Sequence, residues 1–230
     1  MKVVVLTGAG ISAESGVPTF RDSDGLWEGH DVMEVATPEG FAADPALVQR
    51  FYDLRRAHLA KVDTNPAHLA LARLEQALGD DLLVITQNVD DLHERAGSTR
   101  VLHMHGELRS ALCLACADRF PWEGDLAHSP ACPGCDEAML RPDVVWFGEM
   151  PYRMDEALQA LQEADLFVAV GTSAHVQPAA AFVHWAAEQG ARTLEINLAE
   201  TLSTDDFDES RQGRAGDLVP RWVEELLAGR

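Results

Sequence analysis

Val3-Val-Val-Leu-Thr-Gly8-Ala-Gly10-Ile-Ser-Ala-Glu-Ser-Gly16-Val-Pro-Thr-Phe-Arg21 is the stretch from which the fold of this chain is read. Val3 to Leu6 is a short apolar run of strand length and β-branched composition. Gly8 and Gly10 follow it directly, and Ala13 completes a loose G-x-G-x-x-A pattern. A strand that runs into such a turn and then a helix start suits a diphosphate. The glycines let backbone approach the ligand, and the N–H groups of the first helical turn point at the anion. The same residues would also make a plain strand-turn-helix connection, so the rest of the chain has to decide.

Downstream, strand-like and helix-like segments alternate. Asp22–Gly29 is polar and glycine-punctuated, a loop suited to covering a ligand. Helical patterns follow over Pro45–Lys61 and over Pro66–Leu78, with Gly79 as the stop. Strands are expected at Asp81–Ile85, Val101–His105, Val144–Phe147, Leu166–Val170 and Thr193–Asn197. A short helix should end near Ala96, and further helices should cover Met154–Ala164, Ala179–Gln189 and Leu218–Leu227. This alternation implies an α/β fold with a Rossmann-like, doubly wound parallel sheet. Residues 106–140 differ in texture, with four cysteines and few apolar runs, and read as a small inserted module.

The 230 residues and 47% hydrophobic content suit one sizeable core with a small satellite. Lys+Arg number 18 against 38 Asp+Glu, a formal charge of −20 that opposes binding to nucleic acid phosphates and tolerates basic protein segments. No secretory signal precedes the first strand, and no apolar run is long enough to span a bilayer, so a cytoplasmic protein without a membrane partner is expected.

Cys113-x-x-Cys116 and Cys132-x-x-Cys135 are separated by fifteen residues, the spacing of a zinc ribbon. Four thiolates close a tetrahedral site and leave no open position, so the metal should be structural. Thr86-Gln87-Asn88-Val89-Asp90 leaves the end of a strand, where Asn88 and Asp90 would either orient a ribose or merely cap a loop. His103 and His105 lie two apart on an expected strand, and either would serve as a general base. Gly171-Thr172-Ser173 and Asn197 put small or polar groups at two more strand ends.

On a helical wheel of the segment after Pro45, Val48, Phe51, Leu54 and Leu59 share one apolar sector, with Leu47 beside it. Arg55 falls inside that sector and Tyr52 near its edge. The arginine either packs its stem on the core and pairs structurally, or faces a cleft and holds an anion bidentately beside the tyrosine hydroxyl.

Taken together, the chain resembles the sirtuins, NAD-dependent protein-lysine deacylases. The resemblance rests on Gly8–Gly16 with Phe20-Arg21, Thr86–Asp90 with Leu92-His93, His105-Gly106, the four cysteines, Val144–Gly148, Gly171–Ser173 and Asn197, in the family's order and over nearly the whole chain. It implies a large NAD-binding domain of residues 1–30, 80–105 and 141–230. The small domain would comprise a helical part, 31–79, and a zinc module, 106–140. NAD would be consumed as a co-substrate. The residues implied around it are Gly8, Ala9, Gly10, Ser12, Ala13, Phe20, Arg21, Trp27, Gln87, Asn88, Val89, Asp90, Gly171, Thr172, Ser173, Asn197, Ala199 and Ala215. His105 would be the base, with Asn88 and Asp90 beside the nicotinamide ribose. In the implied reaction the acyl-lysine carbonyl oxygen attacks C1′ of that ribose as nicotinamide leaves, giving lysine and O-acyl-ADP-ribose. Val144, Phe147 and Gly148, with His175 and Val176, would pin the substrate peptide as an added strand.

Many sirtuins carry Asp before the Phe-Arg pair, and here Thr19 stands there. That variation with Ala13, and the pair Tyr52-x-x-Arg55, is similar to the branch that removes succinyl and malonyl groups. The partners expected are acyl-lysine proteins or peptides, and the chain is expected to be a monomer. Two other readings compete. An NAD-dependent dehydrogenase needs an acidic residue closing a second strand about 20 residues past the glycines, near Asp31 or Glu34. A zinc-ribbon nucleic-acid-binding module would account for the cysteines but not for the charge.

Overall fold

A computed structural model describes residues 1–18, 26–27 and 29–229. In chain order, β1 (Val3–Thr7) leads into the single-turn α1 (Ala9–Ser12). A two-residue hairpin, β2 (Leu26–Trp27) and β3 (His30–Asp31), precedes α2 (Val32–Val35), α3 (Pro38–Ala43), α4 (Pro45–Leu59) and α5 (Pro66–Leu78). Each of these four helices starts on a side chain that accepts an N–H of its first turn: Asp31 from Met33, Thr37 from Gly40, Asp44 from Leu47 and Asn65 from Ala67. Proline follows the last three caps, where its missing N–H costs nothing. Then come β4 (Leu82–Thr86), α6 (Leu92–Arg95), β5 (Val101–His103), β6 (Gly106–Cys113), β7 (Arg119–Pro121) and β8 (Leu140–Val144). The chain ends with α7 (Met154–Gln162), β9 (Leu166–Val170), α8 (Phe182–Glu188), β10 (Arg192–Asn197), β11 (Glu209–Gln212) and α9 (Ala215–Ala228).

The main sheet has the order β11-β10-β9-β1-β4-β5, with every neighbour parallel. All five residues of β1 are buried because helices cover both faces. Val3 and Val5 face α5 and α9, packing with Leu71, Leu74, Val219 and Trp222. Val4 and Leu6 face α7 and α8, packing with Leu161, Phe182 and Val183. A second core of Val35, Val48, Phe51, Tyr52, Leu108 and Trp146 joins α2 and α4 to the smaller antiparallel sheet β7-β6-β8.

The glycine turn has a different local task from the one expected of it. Gly8 N–H donates to Val170 O at 3.0 Å and Gly10 N–H to Gly171 O at 2.9 Å. A Cβ on Gly8 would lie 2.8 Å from Gly171 O, and one on Gly10 would lie 2.7 Å from Gly171 Cα. The glycines therefore let the turns after β1 and β9 interlock where the sheet order reverses. The helix that follows is one turn long, and Gly10 N–H is spent on this contact.

Three other expectations shift. β5 stops at His103, so His105 lies beyond the strand. The strand expected at Val144–Phe147 is instead β8, Leu140–Val144, which pairs with β6 of the cysteine module; a boundary at residue 141 thus falls inside it. β11, made only of Glu, Ser, Arg and Gln, carries no apolar signal and was not anticipated.

Gly171 adopts φ +62°, and an alanine Cβ there would sit 2.5 Å from Ile11 N and 2.7 Å from Gly10 Cα. Gly171→Ala is expected to cost about 3 kcal/mol, left-handed strain plus backbone displacement. Gly190→Ala, at φ +89° with nothing within 4 Å, should cost only about 1 kcal/mol. Urea unfolding midpoints of the two variants check the difference.

Candidate active site

The carboxyl ends of β1, β4 and β9, the residues just after β5, and the turn after β8 enclose a cavity of about 290 Å³. Gly8, Ala9 and Gly10 line it after β1, Gln87–Asp90 after β4, His105 after β5, and Gly171, Thr172 and Ser173 after β9. Tyr52 of α4, Val144, Phe147 and Gly148, with Val176, complete the opposite wall.

Behind the lining lies a buried polar network. Ser12 Oγ donates to Asp90 Oδ2 at 2.9 Å, and Asn88 Nδ2 donates to Ser12 Oγ at 3.1 Å and to Gly8 O at 3.2 Å. Because the single serine proton goes to Asp90, the His68 Nε2 at 3.4 Å must be a donor to Ser12 Oγ. His68 Nδ1 accepts Asn65 N–H at 3.4 Å, which completes the neutral tautomer. Burial agrees, pushing the His68 pKa down to about 4. His93 stands 5.0 Å away ring to ring, its Nε2 3.0 Å from Thr7 Oγ1, and burial holds it neutral as well. Thr7 Oγ1 donates to Thr86 Oγ1 at 2.9 Å, and Thr86 Oγ1 accepts Asn88 N–H at 3.0 Å. Asp90 caps its own loop, its Oδ1 accepting Leu92 N–H at 3.2 Å, whereas the Asn88 amide is spent on Gly8 and Ser12; both residues also line the cavity. Burial raises the Asp90 pKa, against the opposing Leu92 N–H, Ser12 hydroxyl and His103.

The two candidate histidines separate. His105 lines the cavity, and its Nδ1 lies 3.1 Å from Gln87 O, so Nδ1 carries the proton and a neutral ring keeps Nε2 as an acceptor. Burial lowers its pKa, only partly offset by the Gln87 carbonyl. His103 is outside the lining and spans Asn88 O at 3.2 Å and Glu94 at 2.8 Å.

Tyr52 OH accepts Trp146 Nε1–H at 3.0 Å, and burial raises its pKa beyond the usual phenol range. Arg55, one turn on, is buried, with Nη1 donating to Phe51 O at 2.9 Å and its guanidinium over the Phe51 ring. Among the described residues it stands behind Tyr52 rather than in the cavity lining. Leu54, expected on the apolar sector, is 69% exposed. Val145 N–H donates to His105 O and Phe147 N–H to Ala36 O, each at 2.9 Å, which ties the turn after β8 to both walls.

Other expected residues lie apart from the cavity lining. Ala13 is exposed in the turn after α1, and His175 and Ala199 are exposed. Asn197 is buried at the end of β10, donating to Thr172 O at 2.5 Å, and Ala215 is buried at the start of α9. Thr19, Phe20 and Arg21, and most of the loop 22–29, lie outside the described residues, as does the side chain of Trp27, whose backbone pairs with His30. The lining also includes Val17, Pro18, Ala36, Trp146, Glu149, Pro151 and Gln177. Sequence reasoning did not select these, although Trp146 stood inside a quoted motif. His68 was missed too; its only signal was its place three residues after the Asn65 cap.

The four cysteine sulfurs lie within 4.8 Å of one another, with Cys113–Cys135 and Cys116–Cys132 at 3.7 Å. A tetrahedron with metal–sulfur bonds of about 2.3 Å has edges of about 3.8 Å, so the donor set fits zinc. The two knuckles repeat one geometry. Ala117 and Asp136 each adopt positive φ, and each donates its N–H at 2.9 Å to the carbonyl of the first cysteine of its pair.

The strand order removes the dehydrogenase topology, because the next parallel partner of β1 in sequence is β4, some 75 residues after the glycines. Asp31 sits in the small hairpin and caps α2. No described helix is long and apolar enough to cross a membrane.

A model of the Sir2 family matches residues 8–178. An NAD-dependent protein deacylase of Yersinia pseudotuberculosis is 55% identical over 228 residues, 98% of this chain and 82% of that protein. A solved Sir2 homologue–NAD complex superposes with a TM-score of 0.90 at 42% identity, covering 99% of this chain and 90% of that one. A Sir2 protein bound to acetylated peptide superposes with a TM-score of 0.83 at 30% identity, covering 97% and 92%. The parallel sheet, the interlocked glycine turns and the cysteine cluster thus occur together in a chain that belongs to the Sir2 family.

Proposed function

We propose that this chain is an NAD-dependent protein-lysine deacylase that transfers the acyl group to ADP-ribose and releases nicotinamide. The observation that carries the reading is the juxtaposition of His105, neutral and with a proton-accepting Nε2, with Gln87–Asp90 and the glycine turn in one cavity. NAD, the co-substrate, supplies a ribose carbon that accepts the acyl oxygen and a hydroxyl that must lose its proton. Gly8, Ala9 and Gly10 with Gly171, Thr172 and Ser173 offer the close backbone and hydroxyl groups that a dinucleotide needs. Asn88 and Asp90, locked through Ser12, orient the ribose and present negative charge where positive charge develops. His105 takes the hydroxyl proton on Nε2 while Gln87 O holds its Nδ1 proton. A substrate peptide lying along residues 144–148 finds the N–H groups of Val145, Trp146 and Phe147 already donating within the chain. Val144 O and Trp146 O already accept Arg141 and Glu149 N–H, so its backbone bonds fall on the carbonyl of Val145 and on Gly148. The described lining comes from one chain, which supports a monomer, and four free cysteines arranged as a thiolate site fit the reducing cytoplasm.

The acyl preference follows from α4. An acyl group that carries its own carboxylate and passes Tyr52 meets the Arg55 guanidinium, whose field reaches the Tyr52 hydroxyl. Succinyl and malonyl groups are therefore removed at least as well as acetyl.

His105→Ala should lower the nicotinamide release from acyl-lysine peptides by about 10²–10⁴-fold while NAD binding and unfolding midpoint survive. In the unsubstituted chain the rising, acid-side limb of the rate should lie below the usual histidine range, because burial depresses the His105 pKa. A mild loss in this variant, or NADH absorbance in place of free nicotinamide, contradicts the reading.

Arg55→Met should lose succinyl-lysine activity by about 1.5–3 kcal/mol, roughly 10- to 150-fold, and keep most acetyl-lysine activity. Equal loss on both peptides would show Arg55 to be structural.

One zinc per chain is expected by elemental analysis. Cys132→Ser or strong chelation should unfold the cysteine module, seen as lost near-ultraviolet signal from Trp122, and should remove activity indirectly. Full activity in metal-free protein would count against a structural zinc.

A further inference from the structure

His103 is left over by the mechanism above, yet its surroundings are as constrained as those of His105. It closes β5 in register with Thr86 of β4, and its side chain is 9% exposed. Nδ1 stands 3.2 Å from the carbonyl oxygen of Asn88, and Nε2 stands 2.8 Å from Glu94 Oε1 on α6. Both partners are acceptors, since a carbonyl and a carboxylate bring no proton. A neutral imidazole owns one N–H and would leave lone pair facing lone pair at one of the two contacts. Only the doubly protonated ring satisfies both.

We propose that His103 is held as an imidazolium and acts as a positioning residue for the deacylation site, anchoring the Asn88 carbonyl and placing positive charge behind the Asp90 carboxylate. This rests on the deacylase reading and deepens it. Asn88 belongs to the short turn whose side chains form the ribose wall, so a charge-assisted bond to its carbonyl fixes the turn from behind. Asp90 is buried, and His103 is the cationic group among those that favour its ionised form.

The charged and titratable groups around the ring come from each element packed there. Glu94 and His93 lie on α6, Asp90 in the turn and Glu107 on β6, while Thr86 on β4 is uncharged. Asp91, also in the turn, is matched by Arg109 and Arg95. Burial pulls His103 toward neutrality, but Glu94, Glu107 and the Asn88 carbonyl outweigh it, and the pKa is raised. A raised folded-state value means that the imidazolium is fully present below the ordinary histidine range, about 6.5, and is lost as the pH climbs through the raised value. His105 is shifted the other way. The rate should therefore rise with His105 deprotonation and fall with His103 deprotonation.

Long-range ¹H–¹⁵N NMR of the imidazole rings in the substrate-free chain reads the protonation directly. At pH 7 both ring nitrogens of His103 should show protonated shifts and His105 a neutral tautomer; an unprotonated nitrogen in His103 overturns the proposal whatever the chain catalyses. Glu94→Gln keeps an acceptor for Nε2 but removes the charge. It should move the alkaline limb of kcat/KM for NAD down by about 1 pH unit and leave the acid limb in place. His103→Gln, which retains one donor but cannot titrate, should abolish that alkaline limb and lower kcat/KM for NAD roughly tenfold. Unmoved limbs in both variants, or a uniform loss at every pH, would reduce His103 to an anchor of α6 and overturn the proposal.

Discussion

The close approach of two turns at the sheet's switch point is the constraint on which the site depends. Three glycines, Gly8, Gly10 and Gly171, bring the backbone after β1 against the backbone after β9 at distances no Cβ would permit. The hydrogen bonds from Gly8 and Gly10 to Val170 and Gly171 then fix the ends of two central strands relative to each other. Because side chains alternate along a strand, this also fixes which residues of the following turns point up into the cavity. Ala9 and Ser173 reach the lining, while Ser12 is turned inward onto Asp90. The glycine pattern, read from sequence as a phosphate cradle, has a nearer cause in the fold. The first demand on those glycines is chain against chain.

From that fixed edge a set of proton assignments follows with little freedom. Each hydroxyl has one proton, so Ser12 and Thr7 each commit it to one neighbour and must accept from the others. Those commitments make His68 and His93 donors at Nε2, neutral and buried side by side. Two charged imidazoles 5.0 Å apart and buried from water would repel strongly, so neutrality is also the electrostatic solution. In and behind the cavity wall stand four histidines in two classes. Three are neutral because their partners include a hydroxyl or leave a nitrogen open, and His103 is flanked by acceptors alone.

The sheet and the cysteine module were legible because each rests on strong local signals: β-branched runs of strand length, caps followed by proline, and two Cys-x-x-Cys pairs. β9 and α5 carry the bounds expected from their runs and stop signals. The failures are equally physical. β11 is an edge strand without apolar residues; it is held by pairing to β10 and by Ser210, which donates to the buried Glu195 carboxylate. The strand near Val144 was displaced because apolar residues 144–147 line a cavity and a core rather than a sheet face. His103 and His105 could not be told apart by period alone, since what separates them is the end of β5 and the identity of the acceptors nearby. The glycine and Gln87–Asp90 motifs line the cavity, but nothing linear shows that His68, His93 and Thr7 pack together behind them.

α4 shows how a wheel read for apolar residues alone misleads. Phe51, Arg55, Val48, Leu59, Tyr52, Arg56, Gln49 and Asp53 are all buried, a continuous arc of about 200° at 100° per residue. Half of that arc is polar. Gln49 donates to Leu140 O at 2.7 Å, and Arg56 to Leu108 O at 2.7 Å and Gly124 O at 3.1 Å. Asp53 accepts Arg56 at 2.8 Å and the N–H groups of Leu126 and Ala127, each at 2.9 Å. A buried ion pair repays its desolvation only when its remaining hydrogen-bonding capacity is met, and here the loop between the cysteine knuckles meets much of it. That loop is itself anchored on the cysteine cluster, where Leu126 is fully buried and Phe120 and Trp122 pack alongside. The zinc module therefore does more than sit beside the catalytic domain. It supplies the backbone groups that make a charged helix face tolerable inside the protein, and Tyr52 of the cavity wall lies on that same arc, about 40° from Arg56. A closed cysteine site without an open coordination position thus bears on the cavity through α4, by holding Arg56 and Asp53 on the same arc that carries Tyr52.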